Sequence, residues 1–591
     1  MENEIDKEKF TAAAIIIFII AFFLRFMGIN KMPLSELEAS SGLQALSLFS
    51  SANHTGIVQP LYIITTSVLF KLFNSSNFTA RLLPFICGMI FIVLPYFLKE
   101  NIGNKKALLL SAFFAIDPAL IAWSKMADGM MPAILFFYAA LISFILSNDI
   151  AGIIFLSAAF ASGEEFSFFI LPFSIIFLIY FLCIKKNYYY CSQIKFYIKR
   201  IFSLKNCLIL LLCWITLSTG FFTYPNGIGS IGEGFANAFT RKGVIGFIPL
   251  IISILIYYIV PVFLSIKEFI SSQKGLFSNF EKITIILLFF FILIFQAGQN
   301  IFPWLSPIVW YISVNSFIKY FDKTPQKKNI PWGLSAIILI LSYSFFYLRI
   351  AEMLNISDLN TPVSFYWNNA MRTLPLTKIQ GYIFIIVLCI IIFISLVFSL
   401  IHYFQEEKIR DGFLAGFLII WSWSLLTNAW AAAGLSHVSD LGFTRSQFVR
   451  HEPLLGQQTN VSDNTIFDMI NQIGITTTGF PNRADGLIKI TDDPILRWEL
   501  KNNDNVIFSN IENYDDSSPA FIAIDSNQSE NNPDSYLGIK LNLDSTDKWN
   551  EYTFIDWMNW IVFRKPVKND KIITFFEKAA ILGLGNNEQG E

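Results

Sequence analysis

Charge is scarce in this sequence. Only 15% of the 591 residues are Asp, Glu, Lys or Arg, while 54% are hydrophobic. A soluble globular chain carries about 25% charged residues, so an ordinary water-soluble fold is excluded. Histidine is scarcer still: His54, His402, His437 and His451 are scattered and never paired as HxxxH, which removes the common zinc signatures. All six cysteines precede residue 390 and none forms CxxC, so neither a disulfide framework nor a cysteine metal site is expected. The glycines at 227, 229, 232 and 234 do not follow a strand, as a phosphate loop would. No cofactor and no metal are expected.

What is present is apolar length. Phenylalanine alone accounts for 62 residues and mean hydropathy is +0.53. Runs long enough to cross ~30 Å of hydrocarbon as helix lie near 11–29, 80–98, 107–124, 130–147, 166–184, 206–222, 243–265, 283–299, 303–319, 331–349, 380–403 and 412–431, with a shorter one at 150–162. The first run lacks a small-residue cleavage site and is expected to stay as a span. The run 58–73, "VQPLYIITTSVLFKLF", is ambiguous: from Pro60 to Phe73 a helix reaches only ~21 Å. Positive charge decides. If 58–73 does not cross and the N-terminus is cytoplasmic, the basic loops 99–106, 185–205 and 319–329 all fall inside, as the positive-inside bias requires. The expectation is therefore about 13 spans, with 58–73 a juxtamembrane or re-entrant helix on the outer face.

The elaborated loops then lie outside: 30–79, 124–130, 223–243, 297–304 and 350–379. Function concentrates in such loops, and the 223–243 segment reads as a flexible cover. The part before residue 431 carries 30 basic and 21 acidic residues, and the remainder 13 and 23. An acidic tail argues against a nucleic-acid partner. Short β-like runs at 486–490, 505–510, 520–525 and 536–543, with an amphipathic helix at 465–474, make 433–591 a small extracytoplasmic α+β domain without evident chemistry. The transmembrane domain is 1–432.

Several residues stand out. "Ser35-Glu36-Leu37-Glu38" fits a capping box, with Ser35 at the N-cap and Glu38 reaching back; Glu36 then points elsewhere, since residues two apart do not share a helix face. Leu37, Leu43, Leu46 and Phe49 would give that helix an apolar face. Outer cations run against the general bias: Arg81, Lys125, and the pair Arg241 and Lys242. They either snorkel to headgroups or bind phosphoryl oxygens. Asp128 is either the partner of Lys125 or a contact for polar substrate. Glu164 and Glu165 read as an exposed turn.

The stretches "QPLYIITTSVLFKLFNSSNFTARLLPFICG" (59–88) and "AIDPALIAWSKMADGMMPAILFF" (115–137), after an outer loop bearing carboxylates, resemble the integral-membrane glycosyltransferases of the GT-C fold. The likeness is to the branch with the protein O-mannosyltransferases and the lipid A aminoarabinose transferases, and covers mainly residues 10–240. Members commonly show an Asp-Glu pair, then His-Pro-Pro-Leu-Tyr, an Arg-Leu-Pro, and later an Arg with a downstream Asp. Here Pro60-Leu61-Tyr62, Arg81-Leu82-Leu83-Pro84 and Lys125 with Asp128 take those places, whereas the aspartate position is Leu37, the histidine is Gln59 and the later arginine is Lys125. "FFTYPNGIGSIGEGF" (221–235) and "ILRWELKNNDNVIF" (495–508) also look like pieces of members with an outer C-terminal domain.

The resemblance implies a polytopic α-helical, GT-C-like cell-membrane protein that moves a sugar, with inversion, from a polyprenyl-phosphate donor to an extracytoplasmic glycan, lipid or protein acceptor. Glu38 or Glu36 would be the base. Arg81, Arg241 and Lys242 would lie near phosphate, and Lys125, Asp128 and Tyr62 would orient substrate. The alternatives are a catalytically silent relative that binds a lipid-linked glycan or a partner, and a transporter, which the absence of an internal repeat disfavours.

Overall fold

In the computed structural model the described residues are 2–30, 32–48, 58–170, 174, 203–240, 247–271, 301–323, 330–355, 362–367, 370–403, 406–435, 452–455, 459–461, 465–490, 493–508, 519–525, 536–564 and 567–578. The N-terminal part is helical. In chain order its helices are α1 (Glu2–Phe26), α2 (Glu36–Ser47), α3 (Pro60–Phe73), α4 (Asn77–Phe97), α5 (Lys99–Ile102), α6 (Asn104–Ile116), α7 (Pro118–Ser124), α8 (Met130–Ile145), α9 (Asp149–Ala161), α10 (Glu164–Ile170), α11 (Leu204–Ser218), α12 (Ser230–Thr240) and α13 (Ile248–Glu268). Then follow α14 (Phe302–Lys323), α15 (Ile330–Leu354), α16 (Lys378–Tyr403) and α17 (Glu406–Ala432).

Six helices among the described residues are long and apolar enough to span a membrane, and up to eight if two bent pairs each count as one span. Of the expected runs, 283–299 and most of 166–184 lie outside the described residues. The expected single span 107–124 is broken instead: α6 and α7 meet at 59°. The cause is local. Pro118 disfavours helical backbone at the residue before it, and Asp117 is extended (φ −65°, ψ 120°) while its side chain caps Leu120 N. The turn at 162–163 is sharper, with α9 and α10 bent by 113° around Gly163 at φ +79°. There a Cβ would come 1.9 Å from Val58 O, so only glycine lets the two backbones meet. The 350–379 segment contains a β-hairpin, β1 (Pro362–Trp367) with β2 (Ala370–Thr377).

Helix α3 starts at Pro60 and covers the ambiguous run. Helix α2 differs from expectation in its packing. Its buried face is Glu38, Ala39, Gly42 and Ala45, at i, i+3/i+4 spacing, while Leu37 and Leu46 are exposed. Small residues line this face because a tryptophan from the far end of the chain lies on it.

Residues 459–578 build one mixed sheet of six strands: β3 (Thr459–Val461), β4 (Gly486–Lys489), β5 (Val506–Phe508), β6 (Phe521–Asp525), β7 (Tyr536–Asp547) and β8 (Lys568–Lys578), in the order β3-β7-β8-β6-β4-β5. Four of these strands fall on the β-like runs read from sequence. Three helices accompany the sheet: α18 (Thr465–Thr478), α19 (Pro494–Glu499) and α20 (Phe554–Phe563). Helix α19 packs on α2. Trp498 is fully buried, stacks near Phe70 with ring centroids 5.8 Å apart, and donates its Nε1–H to Asn77 Oδ1 at 2.8 Å. A Cβ at Gly42 would lie 2.8 Å from its ring. We expect Trp498→Ala to lower the unfolding temperature strongly, as a large-to-small change worth about 3–5 kcal/mol, and Gly42→Ala to act in the same direction more weakly. Thermal unfolding of the purified protein, with hydrogen exchange across residues 36–47, measures both.

Candidate active site

Ser35 forms the N-cap of α2 and Glu38 completes the capping box, as the sequence pattern predicts. The Glu38 carboxylate does much more. Its Oε1 accepts from Arg81 Nε at 2.9 Å and Ala127 N at 2.8 Å, and its Oε2 from Arg81 Nη2 at 2.9 Å, Ser35 N at 3.0 Å and Ser35 Oγ at 3.2 Å. Five donors fill the four in-plane lone-pair directions of a carboxylate.

Arg81 is equally committed. Besides Glu38, Nη1 donates to Ile29 O at 3.0 Å and Met32 O at 2.7 Å, and Nη2 to Pro33 O at 2.8 Å. A guanidinium has five N–H bonds, and five protein acceptors surround this one. Both side chains are buried. The expectation that Glu38 acts as base and Arg81 holds a donor phosphate therefore meets two groups fully occupied with each other and with the 29–35 backbone. Together they fix where α2 begins.

Lys125 likewise turns inward. Its Nζ donates to Met27 O and Ala433 O, each at 2.5 Å, and reaches Leu24 O at 3.4 Å. These carbonyls belong to the C-terminal ends of α1 and α17, where the helix dipole favours a cation. These bonds join α1 and α17 to the end of α7. Tyr62 is fully buried and donates its hydroxyl to Ala80 O at 2.8 Å. Burial, with the charges of Glu38 and Asp128 adding, pushes that phenol well above its ordinary range, so it stays protonated and joins α3 to α4. Arg241 and Lys242 lie outside the described residues.

The remaining site residues converge. Asp128, half-buried, follows the Ala127 amide that Glu38 holds. Gly129 N donates to Gln59 Oε1 at 2.9 Å. Glu164 N donates to Val58 O at 3.2 Å, and Asn237 Nδ2 to Glu164 Oε2 at 3.2 Å. Glu165 is buried rather than in an exposed turn. Of the 223–243 segment, read as a flexible cover, the described residues 223–240 hold a 3₁₀ turn (Pro225–Gly229) followed by α12, and 241–243 lie outside the described residues. Residues 29–38 and 58–59, the 124–130 loop, the α9–α10 turn and α12 are thus hydrogen-bonded into one end of the bundle. Glu36 and Leu37 sit on its exposed rim.

Two residues were not singled out from sequence. Arg25 is buried and donates to Phe114 O at 3.0 Å and Ala115 O at 2.9 Å, at the C-terminal end of α6. An arginine at the end of the first apolar run was the available signal. Glu499, on α19 beside Trp498, is half-buried; burial lifts its carboxyl above the ordinary value, with Lys501 and Arg81 opposing. Among the described residues there is no group of three or more His, Cys, Asp or Glu arranged to hold a metal.

No family model matches the chain, and no curated protein matches it. Among solved structures the chain is similar to ArnT from Cupriavidus metallidurans in the apo state, at 12% identity and a TM-score of 0.46, with 86% of each chain covered. It is similar to the same protein bound to undecaprenyl phosphate, at 12% identity and 0.44, covering 84% of this chain and 85% of that one. A third similarity is to the archaeal oligosaccharyltransferase AglB from Archaeoglobus fulgidus in complex with an inhibitory peptide and a dolichol-phosphate, at 11% identity and 0.40, covering 85% and 64%. Both proteins are GT-C fold membrane glycosyltransferases, the group that the sequence resembles.

Two outcomes follow from the geometry. Arg81→Ala leaves the Glu38 charge buried without its counter-ion and is expected to cost about 3–5 kcal/mol, while the double change with Glu38→Ala costs less than the sum of the two single changes; chemical unfolding of the four proteins tests this. The raised Glu499 carboxyl gives a pH dependence of opposite sign to a paired acid. Its folded-state value lies above the unfolded one, so its contribution is complete below the ordinary carboxylate range and is lost as pH rises through the raised value. Hydrogen exchange in 494–499 is therefore expected to slow on acidification after correction for intrinsic rates, and Glu499→Gln to abolish that response.

Proposed function

We propose that this protein is a membrane glycosyltransferase that moves a sugar from a polyprenyl-phosphate donor to an acceptor outside the cytoplasm, with inversion at the anomeric carbon. The observation that carries the assignment of roles is the division of labour within α2. Glu38 is consumed by Arg81, Ser35 and Ala127, and Glu36 is the exposed carboxylate of the first turn. Glu36 is then the base. It adjoins Leu37, which stands where the resembling enzymes keep an aspartate and is 59% exposed.

In this reading Glu36 takes the proton from the acceptor hydroxyl or amine. The freed lone pair forms a bond to the anomeric carbon as the bond from that carbon to the phosphate oxygen breaks, and the electron pair leaves with polyprenyl phosphate. A phosphate monoester is a stable leaving group, so a base and a cationic partner meet the chemical need. Arg241 and Lys242 supply the cation beside that phosphate. Asp128, held between the Glu38-bound amide of Ala127 and the Gln59-bound amide of Gly129, contacts the sugar or the acceptor. Lys125, Arg81 and Tyr62 position these groups without touching substrate.

A second reading is a catalytically silent protein that binds a lipid-linked glycan. Leu37 in place of an acid favours it. Transfer assays in membranes containing labelled polyprenyl-phosphate sugars separate the two. The enzyme reading expects transfer by the wild type and a loss of 10²- to 10⁴-fold in Glu36→Gln, the usual span for a general base, with an unchanged unfolding temperature. Full transfer by Glu36→Gln would remove the base assignment, and binding of donor without any transfer by the wild type would establish the silent reading.

A further inference from the structure

Helix α20 is apolar on two sides. Its ends are closed. Thr553 and Asp556 form a capping box at the start, and Arg564 ends the helix in the left-handed region at φ 54° with its N–H on Trp560 O at 2.8 Å. One face carries Trp557 and Trp560, both buried. They pack with Trp549, at centroid separations of 5.8 Å and 5.5 Å, and against Tyr257, Tyr258 and Phe302 of the helical bundle. That face needs no other partner.

The opposite stripe is Phe554, Ile555, Met558, Ile561 and Val562, spaced as i, i+1, i+4, i+7 and i+8. Phe554 is 79% exposed, Ile555 59% and Ile561 38%. A polar, Asn- and Asp-rich part of the chain thus presents a phenylalanine and two isoleucines side by side. Their surroundings identify what covers them. Tyr347, on the membrane-span helix α15, donates its hydroxyl to Val562 O at 3.0 Å. The same helix exposes Leu341, Phe345 and Leu348, so the stripe continues an apolar surface that a bilayer already covers. The C-terminal end of α20 is fastened to another span: Arg564 lies 4.3 Å over the Trp560 ring, donates to Glu452 Oε2 at 3.3 Å, and bonds Asn428 Oδ1 of α17.

We infer that α20 lies in the plane of the membrane interface, with Phe554, Ile555 and Ile561 inserted among lipid acyl chains and the buried tryptophan face turned to the protein. The partner is the bilayer itself. The sheet that follows and precedes α20 in sequence is held at the membrane surface by this helix as well as by α19. The inference rests on the chain crossing a membrane and is independent of the glycosyl-transfer reading, so either stands without the other.

The test places a nitroxide amino acid, introduced by codon suppression so that the native cysteines stay, at 554, 555, 348 and 504 in turn. The full-length protein is reconstituted in phospholipid nanodiscs, and its electron paramagnetic resonance saturation is measured with oxygen and with a water-soluble nickel chelate. Labels at 554 and 555 are expected to match the span position 348, with collision with oxygen exceeding collision with the chelate several-fold. Position 504, exposed on the sheet domain, is expected to show the reverse. Chelate accessibility at 554 and 555 equal to that at 504 would overturn the inference, and protection from both reagents would assign the stripe to a second protein surface instead of lipid.

Discussion

A carboxylate and a guanidinium buried together set the geometry on which the rest of this end of the molecule depends. Arg81 enters from the first turns of a span, and Glu38 from the first turn of a helix in the preceding loop. Burying such a pair is favourable only when hydrogen bonds satisfy what the pair leaves over, and here they do. The carbonyls of Ile29, Met32 and Pro33 finish the guanidinium, while Ser35 and the Ala127 amide finish the carboxylate. The consequence is positional. One ion pair fixes the exit from α1, the start of α2, the N-terminal end of α4 and the 124–130 loop relative to each other.

Other buried cations repeat the device with carbonyls in place of a carboxylate. Lys125 gathers the C-terminal ends of α1 and α17, and Arg25 that of α6. Helix C-termini carry unsatisfied carbonyls and partial negative charge, and in a membrane protein they cannot all turn to water. Long basic side chains therefore serve as caps shared between helices. The sheet domain joins the same framework twice, through Trp498 on the small-residue face of α2 and through Arg564 on Asn428 and Glu452.

Much of this was legible in the sequence where the signal is local. The capping box at Ser35 to Glu38, the helix starting at Pro60, four strands of the sheet and the polytopic character all follow from patterns a few residues long. The break at Asp117-Pro118 is equally local, and the reading of 107–124 as one span from its apolar length missed it. What sequence could not show is partnership across the chain. Outer cations were read as snorkelling or as ligands of phosphate and substrate because they run against the positive-inside bias. Their actual acceptors lie 43 residues away for Arg81 and 308 for one of the carbonyls on Lys125. The buried face of α2 was misread for the same reason. Leucines suggested the packing stripe, yet Gly42 and the alanines are buried because Trp498, more than 400 residues later, needs a flat surface.

The two carboxylates of α2 illustrate how one constraint creates another. Residues two apart on a helix point ~200° from each other, so once Arg81 claims Glu38, Glu36 must face away from the ion pair. Burial of the first carboxylate thereby leaves the second on the exposed side of α2. A position that carries an acid in the resembling enzymes is Leu37, one residue closer to the ion pair along the chain. Shifting the exposed acid by one residue turns it about 100° around the helix. The direction in which the exposed acid of the first turn faces is therefore set by the ion pair beneath it.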